Sequence, residues 1–204
     1  MITVVSSIHG FVRQNFSQGT RELLELIATS MGFDYSNPLF DYDFSDGIFI
    51  FRILDEDERT VSIGTVNDRN VFEAIETVNI TDRVRHGGKY YTITEIADDG
   101  FSECISLRSI TIPDSVTHIG RSSFSYCKSL ENITIPKNVT VFFCYNFRGC
   151  ESLTDIVFRG NNIDIELWDP DIRDNLETIT VPHDFDETRI RGSSSADFKI
   201  IRQS

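Results

Sequence analysis

The sequence is poor in basic residues, with 19 Lys and Arg against 32 Asp and Glu, and its formal net charge is -13. A field of this sign repels a phosphate backbone, so nucleic acid is not an expected partner. Long apolar runs are missing as well. The best one, 48–54, is interrupted by Arg52 and is far shorter than the roughly 20 residues that span a bilayer. The first residues carry no basic region ahead of their apolar stretch, so we expect neither a secretory signal peptide nor an integral membrane segment.

The common motifs of catalysis and metal binding are also absent. Gly-x-Ser-x-Gly, His-Glu-x-x-His and Gly-x-Gly-x-x-Gly do not occur, and the four His residues share no short spacing. The acidic segment 41–47 resembles the start of a calcium loop, but its Gly comes one place late and Arg52 stands where the loop needs Glu. The sequence therefore predicts no catalytic residue, no metal site and no cofactor.

What the chain does contain is a repeat. Residues 101–123 and 124–146 are identical at 11 of 23 positions without a gap, and a third unit from 147 keeps the Phe, Cys, Ser, Leu and Ile of the pattern. A fourth unit keeps only the apolar frame. Forty per cent of the residues are apolar, which is enough to build a core. Because a fixed period determines the architecture, the repeat decides the fold class.

Aligning the units separates inward positions from outward ones. The Ile-x-Ile spacing alternates with period two and predicts a short strand, which the following Pro ends. A second extended piece, Val-Thr-x-Ile, comes next, and the spacing of Phe-x-x-Cys predicts one helical or 3₁₀ turn. We expect the recurring apolar side chains to pack against their own copies. These inward columns include Leu107, Leu130, Leu153, Leu176; Ile110, Ile133, Ile156, Ile179; Ile112, Ile135, Phe158, Val181; Phe101, Phe124, Phe147; and Cys104, Cys127, Cys150.

One repeat is thus predicted to form one coil of an α/β solenoid of the leucine-rich repeat type, in which short parallel strands stack coil on coil. A single coil buries too little apolar surface to offset the entropy of ordering it. The coils must therefore stack, and both ends must be covered.

These features resemble the leucine-rich repeats of the BspA type, found in bacterial surface proteins and in some protist ones. The matching segments are 107–113, 116–119, 124–127 and their copies. The resemblance covers about residues 75–182, although Pro170 and Arg173 replace Phe and Cys in the fourth unit, which predicts an irregular coil there. It implies a non-enzymatic binding module in surface attachment or adhesion. Relatives are typically exported, whereas this chain has residues 1–40 in place of a signal peptide, so a cytoplasmic location stays open beside the cell surface.

The chain divides into four predicted segments. Residues 1–40 contain one amphipathic helix, whose apolar stripe runs from Leu23 to Met31. Residues 41–74 form a strand-rich N-terminal cap, with strands over 47–54 and 60–65 that an acidic turn separates. Residues 75–182 form the solenoid, with a hairpin inserted at 85–89, and 183–204 form the C-terminal cap.

The cysteine column suggests packing rather than chemistry. Cys104, Cys127 and Cys150 recur where coils stack about 4.8 Å apart, so we expect a buried ladder of small apolar residues. A disulfide or a metal site is the alternative, but the Cys-x₂-Cys spacing of structural zinc sites is missing. Cys144 lies outside the column and is the one thiol that we expect to react.

Two rows of outward strand positions form a predicted binding surface, which we call the strand face. Every coil contributes equivalent side chains to such a surface, although Thr in these places is also simply a good strand residue. We expect a protein or glycan ligand and a monomeric chain. The alternatives are a passive structural spacer that interacts through residues 1–40, and a glycan-processing enzyme with a scattered active site. The strand face consists of Glu76, Arg108, Glu131, Thr154 and Glu177 in one row, and of Asn79, Thr111, Thr134, Val157 and Thr180 in the other.

Overall fold

The structure is a computed structural model that describes residues 42–46, 48–65, 74–142, 145–167, 175–192 and 198–203. The predicted amphipathic helix, Cys144 and the irregular turn at Pro170 and Arg173 lie outside the described residues. The strands are β1 (Phe44–Ser45), β2 (Phe49–Asp55), β3 (Thr60–Thr65), β4 (Thr77–Asn79), β5 (Arg83–His86), β6 (Lys89–Ile96), β7 (Ser109–Thr111), β8 (His118–Ile119), β9 (Asn132–Ile135), β10 (Val141–Phe142), β11 (Asp155–Phe158), β12 (Ile165–Leu167), β13 (Thr178–Val181), β14 (Ile190–Gly192) and β15 (Lys199–Arg202), with a 3₁₀ helix at Glu187–Arg189 between β13 and β14.

The two predicted N-terminal strands are present as the antiparallel pair of β2 and β3, with β1 added outside β2. The turn between them is held by Asp55, whose Oδ1 accepts the backbone N–H groups of Asp57 and Glu58, both at 2.8 Å. On its other side β3 pairs in parallel with β6, where Val61 lies opposite Ile93. The hairpin therefore covers the strand edge at which the coils begin.

The predicted hairpin at 85–89 is confirmed. β5 and β6 are antiparallel, and Gly87 and Gly88 between them have φ of 55° and 80°. Two successive residues with positive φ are the requirement of a type I′ turn, and glycine meets it without steric strain.

Successive repeats place their strands side by side in the same direction. Ile156 of β11 lies opposite Ile133 of β9 and Ile179 of β13, one period away on each side, and β15 extends this sheet beyond β13. β4 and β7 form a separate parallel pair. The second strands of the coils, β8 and β10, continue in parallel from β6 in the sheet that also contains the N-terminal hairpin.

The inward columns form one continuous core. Leu107, Leu130 and Leu153 are fully buried in the same hydrophobic cluster. The ring of Phe124 is stacked between those of Phe101 and Phe147, with centroids 5.9 Å apart on both sides. The prediction that the phenylalanines pack against their own copies is thereby confirmed.

The prediction of helical or 3₁₀ turns at Phe-x-x-Cys is wrong. In each copy the Cys N–H donates to the Phe carbonyl, at 3.4, 3.2 and 3.1 Å, but the residue before Cys has a positive φ. These residues are Glu103 (61°), Tyr126 (60°) and Gly149 (69°). Right-handed helices need negative φ, whereas a positive φ at the third residue is typical of a type II turn. Both structures close a hydrogen bond from i to i+3, so the spacing alone does not distinguish them.

Candidate binding surface

The strand face lies on β4, β7, β9, β11 and β13 and on the residues just before them. In the second row Asn79 lies opposite Thr111, and Val157 lies opposite both Thr134 and Thr180. In the first row the backbone N–H of Thr154 donates to the carbonyl of Glu131 at 3.0 Å. Six of the ten predicted residues are exposed and four are half-buried. The structure therefore aligns the two rows and leaves all ten side chains accessible; whether they bind a ligand stays a prediction.

A third row, absent from the prediction, lies between the two and is called the middle row here. Counting back from Ile110 with period two puts residue 109 on the outward side, and this signal could have found the row. Residues at this position of paired strands lie opposite each other. The middle row consists of Thr77, Ser109, Asn132, Asp155, Thr178 and Lys199.

Asp155 supplies the carboxylate of the middle row, and two threonine hydroxyls hold it. Thr154 Oγ1 donates to its Oδ2 at 2.6 Å, and Thr178 Oγ1 donates to its Oδ1. Hydrogen bonds to the charged form favour it, so they lower the pKa of Asp155. The centre of the surface therefore keeps a fixed negative charge at neutral pH.

An ion pair crosses the surface where the strand ladder is interrupted. β7 and β9 belong to different sheets, although the Glu131 N–H donates to the Arg108 carbonyl at 3.3 Å. Arg108 Nη1 lies 3.3 Å from Glu131 Oε1, and the two side chains are 63% and 57% exposed. Exposed pairs of this kind add little to stability. Arg108 and Glu131 are therefore free to serve recognition, because the fold depends little on them.

The comparisons with known proteins agree with this geometry. A sequence model described as a BspA type leucine rich repeat region (6 copies) matches residues 71–191, which is more than half of the chain. The chain belongs to the BspA-type leucine-rich repeat family. No curated protein sequence matches it.

Solved structures of leucine-rich repeat proteins resemble this BspA-type chain. The T. pallidum leucine-rich repeat protein TpLRR is 21% identical with a TM-score of 0.53, and the match covers 78% of this chain and 63% of that one. A leucine-rich repeat protein from Bacteroides capillosus is 22% identical with a TM-score of 0.43, and the match covers 78% of this chain and 97% of that one. The chain thus spans less than two thirds of TpLRR, and the likeness to TpLRR shows the leucine-rich repeat fold.

Three cysteines of this BspA-type chain form the predicted buried ladder. Cys104, Cys127 and Cys150 are buried in the core. Cys127 Sγ donates to the carbonyl of Phe101, one coil back, at 3.1 Å, and Cys150 makes the same contact with Phe124. Burial raises the pKa of Cys104 to about 12 and that of Cys127 well above its ordinary value. In the folded chain these groups are packing residues rather than nucleophiles.

We expect iodoacetamide to leave Cys104, Cys127 and Cys150 unmodified in the folded chain near neutral pH, and to modify them rapidly in urea. The physical reason is that little thiolate forms at a raised pKa and that the core excludes the reagent. Peptide mass spectrometry after timed quenching measures this. Rapid modification of Cys127 in the folded chain would contradict the ladder.

Because the folded pKa of Cys104 exceeds the unfolded one, the contribution of this thiol to the free energy of unfolding is complete below about pH 9 and is lost as the pH rises toward 12.

No helix among the described residues is long and apolar enough to cross a membrane. No three His, Cys, Asp or Glu side chains within the described ranges are grouped as ligands of a metal ion.

Proposed function

We propose that this chain is a non-enzymatic binding module that holds a protein ligand on its strand face, in adhesion or interaction at a cell surface. Membership of the BspA-type family supports a repeat-based interaction module. The observation that carries the proposal is the register of the three outward rows, because each coil offers the ligand the same positions at a regular spacing. The cell-surface setting is what the family resemblance implies.

The charge of the surface favours a ligand with a basic patch. The strand face and the middle row together carry four carboxylates and two cations, in a chain whose net charge is -13. Opposite charges across an interface speed association and fix its register, and salt weakens both effects. The charged residues are Glu76, Glu131, Asp155, Glu177, Arg108 and Lys199.

The charge-swapped variant Arg108→Glu/Glu131→Arg tests the proposal. It keeps the net charge and an ion pair at the same place, so the free energy of unfolding should change by less than about 0.5 kcal/mol. It reverses the local charge pattern, so we expect the capture of basic proteins from an extracellular-matrix extract to fall at least about tenfold. Quantitative mass spectrometry of proteins retained on the immobilised chain measures the loss.

The matched control is Lys128→Glu/Glu151→Lys. This pair also joins neighbouring coils, with Lys128 Nζ 2.7 Å from Glu151 Oε1, but it lies on the turns rather than on the strand face. We expect the control to capture the same proteins as the wild type. Unchanged capture by Arg108→Glu/Glu131→Arg would instead favour a passive spacer that interacts through residues 1–40. Turnover of a polysaccharide by the wild type would favour an enzyme.

A further inference from the structure

A second accessible site lies on the turns of the coils, away from the strand face. A cavity of about 380 Å³ opens there between neighbouring turns, and we call it the turn cleft. None of its residues belongs to the strand face or the middle row. Its side chains are Asp99, Glu103, Tyr126, Tyr145, Arg148 and three serines.

The two tyrosines of the turn cleft are not explained by the fold. Both have a positive φ, 60° at Tyr126 and 66° at Tyr145, which bulky residues avoid. In the neighbouring coil Gly149 takes the turn position of Tyr126 with the same sign of φ. The two residues are 39% and 54% exposed, so burial does not account for the tyrosines either. The positive φ itself belongs to the turns, because the equivalent residues of the other coils share it. What the turns leave unexplained is an accessible tyrosine at each of the two positions, and aromatic side chains that line a cleft point to contact with a ligand.

The ring of Tyr126 is held as a fixed platform. Its Cδ1 lies 2.5 Å from the position that a Cβ on Gly149 would occupy, so only glycine permits this approach. The guanidinium carbon of Arg148 lies 5.8 Å from the ring centroid, within the range of a cation–π contact. Tyr145 is the more open ring and presents a second aromatic surface.

Acidic and basic side chains both surround the two tyrosine rings. Asp99 and Glu103 offer carboxylate acceptors and Arg148 offers guanidinium donors, and among the described residues no ion pair joins any of the three to another side chain. The hydroxyls of Ser102 and Ser125 lie 2.9 Å apart at the same cleft. Carboxylates and guanidinium groups each bind two neighbouring hydroxyl groups, as the adjacent hydroxyls of a sugar ring require.

We propose that the turn cleft binds a neutral saccharide, whose C–H face packs on Tyr145 and whose hydroxyl groups bind Glu103, Asp99 and Arg148. Its volume falls at the low end of the roughly 300–1,000 Å³ of small-molecule sites. Two carboxylates against one arginine disfavour an acidic sugar. A peptide is disfavoured too, because apart from the two tyrosine rings the lining is polar and offers no pocket for an apolar anchor. The site is independent of the proposed function, since its residues and its ligand are different.

The test is saturation-transfer NMR of the full chain with the methyl glycosides of glucose, galactose, mannose and N-acetylglucosamine. We expect at least one glycoside to bind, with transfer strongest on its ring C–H protons. Tyr145→Asn should weaken that binding at least about tenfold. Asn tolerates positive φ, so this variant removes the ring and keeps the turn. Glu103→Gln, which removes a charge from an exposed turn residue without changing its shape, should weaken binding as well.

The matched control is Tyr90→Asn, because Tyr90 is 59% exposed on the hairpin of β5 and β6 and outside the turn cleft. It should bind the glycosides as the wild type does, and so should Arg108→Glu/Glu131→Arg, which separates this site from the strand face. Absence of binding to all four glycosides, or equal loss in Tyr90→Asn, would overturn the proposal. A second measurement compares retention of intact mucin with that of mucin whose sugars periodate has cleaved. If the chain retained both equally, and Tyr145→Asn lost both, the turn cleft would bind a protein, and the proposal would be overturned.

Discussion

Replacing Phe124 by Ala is expected to lower the free energy of unfolding by about 3–5 kcal/mol. The side chain is fully buried and stacks on Phe101 and Phe147, so its loss opens a cavity that faces both neighbouring coils. In a repeat protein stability is a sum over neighbouring units, and a defect in a central coil weakens two interfaces at once. Urea denaturation followed by circular dichroism measures the change.

Two controls separate the cavity from other effects of mutation. Phe124→Leu keeps much of the buried volume and should cost about 1 kcal/mol. Glu131→Ala removes an exposed side chain a few residues away and should cost less than about 0.5 kcal/mol. If Phe124→Ala were as stable as Glu131→Ala, the phenylalanines would not form a stacked column.

Replacing Gly120 by Ala is expected to cost about 3 kcal/mol, because the new methyl group would meet backbone rather than a movable side chain. The Cβ would lie 2.5 Å from the backbone nitrogen of Asp98 and 2.7 Å from the carbonyl carbon of Ala97. The Gly120 N–H also donates to the Ile96 carbonyl at 2.9 Å, so the two coils cannot separate without losing a hydrogen bond. The midpoint of thermal unfolding measures the effect.

Gly88→Ala is the matched control for Gly120→Ala. Gly88 has a φ of 80°, but a Cβ there has no atom within 4 Å. Its substitution introduces backbone strain without a clash and should cost about 1–2 kcal/mol. A smaller loss for Gly120→Ala than for Gly88→Ala would show that the coils have room at Gly120.

The repeat predicts much of the fold because stacked copies need the same chemistry. An inward residue such as Leu130 is buried in the same cluster as its counterparts one period away, so chemical identity across units marks the core. The two short strands of each coil and the hairpin at Gly87 and Gly88 also follow from local patterns. The turn at Phe-x-x-Cys does not, since the glycine that suits positive φ occurs in only one copy, at Gly149, and Glu103 and Tyr126 conceal the requirement in the others.

The two surfaces differ in how far the sequence predicts them. The second row of the strand face follows from alternation along the strands, and the same alternation, applied from Ile110, also finds the middle row. The first row lies just before the strands, where the alignment of the repeats rather than alternation marks its positions. The turn cleft cannot be predicted in this way, because Tyr126 and Tyr145 stand in different columns of the aligned repeats. Their proximity depends on how the turns of neighbouring coils approach each other, which only the three-dimensional structure shows.

Because strands one period apart pair in parallel, the length of the stack of coils can change only by whole repeats. Duplication or loss of a single 23-residue unit would shift everything downstream by one strand spacing, about 4.8 Å, and would leave both ends as they are. The reach of the molecule toward a larger or smaller partner is therefore open to evolution by copying a short stretch of gene, without redesign of any single contact.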